Sequence, residues 1–260
     1  MRIVSICPSN TEVVGYLGKA DMLVAVDDYS NWPDEVADLP RVGPDLAIDM
    51  DKVESLGPDL VLASLSVPGM EKNIYELNKR GIPHITLNPN SLEDIAKDIE
   101  TVGEALHCKE TGAEKARTFR ESVHRYRKFA DEKVEKPSLY WEWWPKPVFT
   151  PGRANWLTEI SELAGAYNVF ATEPEANVQS DWEDVLKRNP DHICLVWVGV
   201  DEEKVNPGLL MKRPGWKEMK AVQNQSVHIL GDSLYCRPSP RLLLGLDKLI
   251  HTLWGQSPPR

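Results

Sequence analysis

Short apolar runs recur along the first hundred positions, and between them apolar residues fall three or four apart. The runs Arg2–Ile6, Leu23–Val26, Leu60–Ala63 and His84–Leu87 read as strands. The segments Thr11–Leu17, Met50–Leu56, Met70–Arg80 and Leu92–Leu106 read as helices. Strands alternating with helices predict a parallel α/β arrangement, because a parallel pair needs a crossover. Boundary chemistry agrees. Ser9 or Asn10 can cap the helix that Gly18 ends, and Ser91 can cap the one beginning at Leu92. Gly57-Pro58-Asp59 stops a helix and turns into a strand.

From Glu104 to Lys133 the pattern changes. The segment is charged and lacks proline, with Ala113, Ala116, Phe119, Val123, Tyr126 and Ala130 at helical spacing. A continuous helix there would be about 45 Å long at about 1.5 Å per residue. Alternation then resumes, with strands expected at Ser138–Trp143, His192–Val198 and Val227–Leu230 and helices at Asn155–Ala164, Asp181–Lys187 and Pro240–Trp254. The halves resemble each other: Val53 to Leu62 and Val185 to Cys194 both read as helix end, Pro-Asp turn and strand. Pro8-Ser-Asn10 before the helix ending at Gly18 likewise parallels Pro151–Asn155 before the one ending at Gly165. The expected fold class is α/β: two Rossmann-like lobes with parallel sheets, residues 1–103 and 134–260, joined by one long interdomain helix over 104–133. Two lobes leave a cleft, a preferred place for a small molecule.

The 260 residues carry 30 basic and 40 acidic side chains, a net charge of −10, and 42% of them are hydrophobic. That composition supports a substantial core and excludes wholesale disorder. The acidic balance argues against a general nucleic-acid binder or adsorption to anionic lipid. Cys7, Cys108, Cys194 and Cys236 form no CxxC pair and no zinc spacing, so they read as small buried hydrophobes. No stretch approaches the roughly 18 apolar residues of a membrane span. Met1-Arg2 leads directly into the first strand, so the chain as written reads as cytoplasmic, or as extracytoplasmic with a leader removed.

Enzymatic motifs are missing. HExxH, GxSxG, GxxxxGK[ST] and GxGxxG do not occur, and the six histidines are dispersed. The unusual feature is aromatic: nine tryptophans include the run Tyr140-Trp141-Glu142-Trp143-Trp144-Pro145. Alternation along a strand puts Trp141 and Trp143 on one face, Tyr140 and Glu142 on the other. Trp144 falls at the strand end, where parallel sheets form ligand crevices. Tyr29 and Trp32 share a loop, and Trp197 ends another strand. Such rings read either as core packing or as flat surface for a large planar ligand. Ahead of the last helix, Arg237-Pro-Ser239-Pro240-Arg241 reads as a helix start with Ser239 as cap, or as a place where Arg237 and Arg241 meet an anionic ligand group. Asp27-Asp28 and Asp49–Asp51 read as caps and loop charges rather than metal ligands, and no directly bound metal is expected.

The order of these motifs resembles the class III substrate-binding proteins of ABC importers. The match runs through Cys7-Pro8-Ser9-Asn10-Thr11-Glu12, Val26-Asp-Asp-Tyr29-Ser30-Asn-Trp32-Pro33, Val42-Gly43 and Leu56-Gly-Pro58-Asp59-Leu-Val-Leu62-Ala63. It continues through Val148-Phe149-Thr150-Pro-Gly152, Gly165…Asn168-Val-Phe170 and the Arg237–Arg241 segment, covering essentially the whole chain. The cobalamin binders are the nearest subgroup, with ferric-siderophore and haem binders as relatives. The resemblance implies non-covalent capture of a large metal chelate by aromatics of both lobes, with no chemistry performed and no intrinsic cofactor. It carries ligand contact to Tyr29, Trp32, Trp143 or Trp144, and Phe170, and Trp197 joins them by position. It also implies docking on an ABC permease dimer through one acidic residue per lobe. Glu71 matches the first place. Glu203 stands thirteen residues after Pro190 as Glu71 does after Pro58, and Glu202 is an equal candidate. Ser64 stands where a cobalamin-binding relative carries a tryptophan.

The expected function is therefore capture of cobalamin or a related corrinoid for delivery to an ABC importer by a monomeric, non-enzymatic protein. The alternatives are a ferric-siderophore or haem binder, and a cytoplasmic cofactor-handling enzyme or chaperone on the same scaffold.

Overall fold

The structure, a computed structural model, describes residues 1–257 and 259. The chain divides into two compact units, Met1–Glu121 with Pro238–Pro240, and Ser122–Arg237 with Arg241–Arg260.

Unit 1 contains β1 (Ile3–Ser5), α1 (Pro8–Tyr16), β2 (Leu23–Val26), α2 (Met50–Ser55), β3 (Leu60–Ser64), α3 (Glu71–Lys79), β4 (His84–Leu87), α4 (Leu92–Ala105) and the first part of α5 (Lys109–Asp131). Its four strands are parallel in the order β2-β1-β3-β4. All the expected strands of this half are present. Val4, Ile6, Ala25, Val61 and Ala63 bury completely or nearly so against Val53, Leu77 and Met50 of the helices. Asp49 caps α2 through the Lys52 amide and Ser91 caps α4 through the Asp94 amide.

Two local readings are corrected. Ser9 and Asn10 do not cap α1: the helix begins at Pro8, with Cys7 in the extended cap position, and Asn10 instead donates from Nδ2 to the Ala63 carbonyl at 2.9 Å. Proline at the first helical position needs no amide partner, which permits this earlier start. The charged segment from Glu104 is also not one helix. α4 ends at Ala105, His107 takes a left-handed conformation with φ 55°, and α5 begins at Lys109. The turn is tight because Gly103 and Gly112 let the two helices touch: a Cβ on Gly103 would lie 2.8 Å from the Gly112 Cα. The 23 residues of α5 span about 34 Å.

Unit 2 continues with β5 (Ser138–Glu142), β6 (Trp144–Pro145), β7 (Val148–Pro151), α6 (Trp156–Leu163), β8 (Tyr167–Asn168), β9 (Asn177–Ser180), α7 (Trp182–Arg188), β10 (His192–Leu195), α8 (Lys220–Gln223), β11 (Val227–Ile229) and α9 (Leu242–Trp254). A parallel sheet runs β11-β10-β5-β8. A second sheet, β6-β7-β9, is antiparallel and was not anticipated, because its strands are short and interrupted by prolines. Ser239 does not cap α9. That helix starts at Leu242 after Arg241, and the Ser239 hydroxyl donates to Glu12 inside unit 1, where both residues are fully buried.

The internal resemblance has a shared physical role. Asp59 accepts the Arg2 amide at 2.6 Å, tying the start of β3 to the start of β1. Asp191 accepts the amide and hydroxyl of Ser138 at 2.9 and 2.7 Å, tying the start of β10 to that of β5. Each Pro-Asp turn thus sets the register of its unit's central strand pair.

Candidate functional site

In each unit the aromatic loops lie at the carboxyl ends of the parallel strands, the position where open α/β sheets bind ligands.

In unit 1 the loop after β2 is built from a buried polar network. Asp27 is fully buried, and its Oδ1 accepts the amides of Tyr29 and Ser30 at 2.8 and 3.1 Å. The Ser30 hydroxyl donates to Asp27 Oδ2 and lies 2.7 Å from the Thr11 hydroxyl, which itself donates to Ser5 at 2.8 Å. Arg41 closes the turn by donating to the Ser30 and Asp27 carbonyls. This rigid turn holds Tyr29 outward, 48% exposed. Trp32 is half-buried over α1, where Gly15 makes room: a Cβ there would lie 2.7 Å from the Trp32 ring and from Pro33. The Ser64 hydroxyl donates to Ser66 at 2.9 Å. Glu71 opens α3, exposed, and its carboxylate accepts the Gly69 amide at 2.8 Å.

In unit 2 the central feature is Glu142, the last residue of β5 and fully buried. Its Oε2 accepts the Tyr140 hydroxyl at 2.9 Å and Arg213 Nη1 at 2.6 Å. Its Oε1 accepts Arg213 Nη2 at 2.8 Å and the Trp197 indole N–H at 3.1 Å. Arg213 is 4% exposed, with Trp216 and Trp182 ring centroids 4.3 and 5.0 Å from its guanidinium carbon. Burial, with the Glu142 carboxylate adding to it, pushes the Tyr140 phenol well above its ordinary range. The phenol therefore stays protonated and donates.

The expected ligand aromatics of this unit divide. Trp144 is 45% exposed and stands opposite Phe149, itself 36% exposed, in the β6–β7 register, so both exposed rings project from the same strand pair. Trp197 is half-buried, and Val198 beside it is 52% exposed. Trp143 is only 9% exposed, and its buried indole N–H has no partner among the described residues. Phe170 is corrected outright. It is fully buried, with the Arg188 guanidinium over its ring at 4.0 Å and Tyr140 at 6.0 Å, so it belongs to the core and offers no face to a ligand. Arg237 and Arg241 are both half-buried around the start of α9.

Glu202 and Glu203 lie on one exposed turn. The Glu202 carboxylate is folded onto Gly231, an oxygen falling 2.1 Å from where a Cβ would stand, and it lines a pocket of 460 Å³ with Tyr235, Asp247 and His251. None of the aromatic candidates lines that pocket. Burial raises the Cys7 thiol to about 11 and moves Cys194 and Cys236 in the same direction, so these three are poor nucleophiles. Among the described residues no cluster of three or more His, Cys, Asp or Glu could hold a metal ion, and no helix is long and apolar enough to cross a membrane.

Sequence reasoning missed Arg213, Phe149 and the role of Glu142. The one available signal was an acidic residue inside an otherwise apolar strand, which at that position requires a buried cation.

Each of the two α/β units carries aromatic loops at the carboxyl ends of its parallel strands. Residues 3–234 match the periplasmic binding protein family, and the chain belongs to that family. It is a substrate-binding protein of the ABC-importer class, a transport component rather than an enzyme. It is 31% identical over 258 residues to an uncharacterized ABC transporter substrate-binding lipoprotein of Bacillus subtilis, covering 97% of this chain and 80% of that one. Among solved structures it is similar to the periplasmic vitamin B12 binding protein BtuF of Vibrio cholerae, with a TM-score of 0.79 and 27% identity, covering 97% of this chain and 96% of that one. A periplasmic heme binding protein from Pseudomonas aeruginosa shares the fold, with a TM-score of 0.85 at 22% identity, covering 100% of this chain and 94% of that one.

Proposed function

We propose that this protein captures cobalamin or a related corrinoid and delivers it to the permease of an ABC importer. The observation that carries this reading is the pair of outward rings, Tyr29 in unit 1 and Trp144 in unit 2, each at the carboxyl end of its sheet and each held by a fixed turn or strand pair. Large aromatic faces that stay exposed on rigid supports suit the broad face of a macrocyclic ligand, since little side-chain entropy remains to be lost on binding. The similarity to a vitamin B12 binding protein supports the corrinoid choice. Trp32 and Trp197 complete the aromatic set. Arg237 and Arg241 supply cationic groups, and a haem or ferric siderophore, which carries anionic groups, is the second reading they favour. Docking is assigned to Glu71 and to Glu203, since the Glu202 carboxylate is turned onto Gly231. The protein works as a monomer.

The test is tryptophan fluorescence, corrected for ligand absorbance and checked by calorimetry, during titration with cobalamin, cobinamide, haemin and a ferric-siderophore panel. Saturable sub-micromolar binding of the corrinoids alone supports the proposal. Selective binding of haemin or a siderophore replaces the ligand class, and no binding across the panel overturns capture of a metal chelate.

A further inference from the structure

We infer that Glu142 is a positioning residue for ligand capture, holding the Trp197 indole in one orientation at the carboxyl end of the second unit's parallel sheet. The inference rests on the aromatic reading above and adds a group that does not itself meet the ligand.

All the acceptor capacity of the Glu142 carboxylate is used. Two bonds come from Arg213, one from the Tyr140 hydroxyl and one from the Trp197 indole. Arg213 cannot swing away to relax the pair, because its guanidinium lies against the Trp182 and Trp216 rings. Trp216 in turn donates its indole N–H to the Trp182 carbonyl at 3.1 Å, and Trp182 donates to the Pro145 carbonyl at 2.6 Å. The plane of the carboxylate is therefore set from three sides, and the indole bonded to Oε1 inherits that plane. The backbone supports the same placement: the Val198 amide donates to the Trp143 carbonyl at 3.3 Å, and the Val196 amide donates to the Glu142 carbonyl at 2.9 Å.

Stability alone gives little reason for such a cluster. A fully buried ion pair is commonly no more stabilising than apolar residues of the same volume. What apolar residues cannot supply is a directional bond to the indole N–H of a tryptophan that is itself only half-buried. A charge-assisted bond of this kind fixes the ring against rotation about χ1 and χ2, so the face offered to a ligand is preorganised.

The experiment compares wild type, Glu142→Gln, Trp197→Phe and the double variant. One readout is the indole N–H signal in the ¹⁵N–¹H spectrum, assigned by its loss in Trp197→Phe. The other is the dissociation constant for cobinamide and haemin. The expected result is a slowly exchanging Trp197 signal that moves in Glu142→Gln, an affinity loss of about tenfold in each single variant, and no further loss in the double variant. If the Glu142→Gln signal moves while affinity is unchanged, or if the two losses multiply to about a hundredfold, Glu142 is structural only and the inference is overturned. Should Glu142→Gln fail to fold, Arg213→Lys takes its place with the same expectations, because it keeps the charge while breaking the two-pronged pair. Wild-type protein that binds neither probe overturns the aromatic reading itself, an outcome distinct from bound wild type with indifferent variants.

Discussion

Gly15 sits inside α1 beneath the Trp32 ring, and adding a single methyl group there separates ligand affinity from stability. In Gly15→Ala the new Cβ would start 2.7 Å from Trp32 Cζ3 and 2.7 Å from Pro33 Cδ. Carbon–carbon contact is comfortable at roughly 3.5–4.0 Å, so the ring and the proline must retreat by about 1 Å. Overpacking of this size costs about 1–3 kcal/mol. Against it stands the helix propensity of alanine, worth about 1 kcal/mol over glycine in a helix interior. Gly15 does not use a positive φ, so no backbone strain is added. The net loss of stability is therefore about 0–2 kcal/mol, small enough to leave the protein folded at 25 °C. Affinity has no compensating gain. A displaced Trp32 forfeits a ring contact worth about 0.5–1.5 kcal/mol, or roughly two- to twelvefold in Kd. Urea unfolding measures the first quantity and calorimetric titration with the bound member of the chelate panel measures the second. Unchanged affinity alongside a 1 kcal/mol gain in stability would refute the reasoning, since it would mean that Trp32 neither presses on Gly15 nor meets the ligand.

Three further outcomes are expected. Trp144→Ala removes a ring that is 45% exposed and stands opposite Phe149 in the strand register, so unfolding stability falls by less than about 1 kcal/mol while ligand Kd rises about tenfold, both read by the same titrations. Glu71→Gln combined with Glu203→Gln leaves ligand affinity at the wild-type value and lowers uptake through the reconstituted importer; loss of affinity in solution would contradict the docking assignment. His192 and His228 lie nitrogen to nitrogen at 3.0 Å beside Asp191 and Lys220, and burial lowers both, His228 to about 4, with His192 adding to the effect. Because these folded values lie below the unfolded value of about 6.5, the unfolded chain binds more protons between the two. Their contribution is intact above pH 6.5 and is lost as pH falls toward 4. Thermal melts at pH 7.5 and 4.5 should therefore show a smaller acid-induced drop in Tm for His228→Gln than for wild type, and an equal drop would remove the pair as a cause.

Much of this molecule is settled by local free energies that the sequence states directly. Alternating apolar runs and helical spacing place seven of the eight parallel-sheet strands, with β10 three residues shorter than expected; β8 was not expected, because its two residues carry no pattern. The Pro-Asp turns in both halves read as turns into strands, and the structure adds their tie to the neighbouring strand; Tyr29 came from the family resemblance, and its turn is held by Asp27 locally and by Thr11 and Arg41 from farther along the chain. What the sequence could not decide is which aromatic side chains remain uncovered. Phe170 and Trp144 look alike as letters near strand ends. Phe170 lies beneath an arginine eighteen residues away, whereas Trp144 shares an exposed pair with Phe149 across an unforeseen antiparallel sheet. Likewise Glu142 meets an arginine seventy-one positions distant, and Ser239 finds Glu12 from the far end of the chain rather than capping its own helix. Periodicity and caps report interactions over a few residues, where the chain itself sets the geometry. Exposure and buried charge pairing depend on which distant segments arrive to cover a group, and only the folded packing determines that.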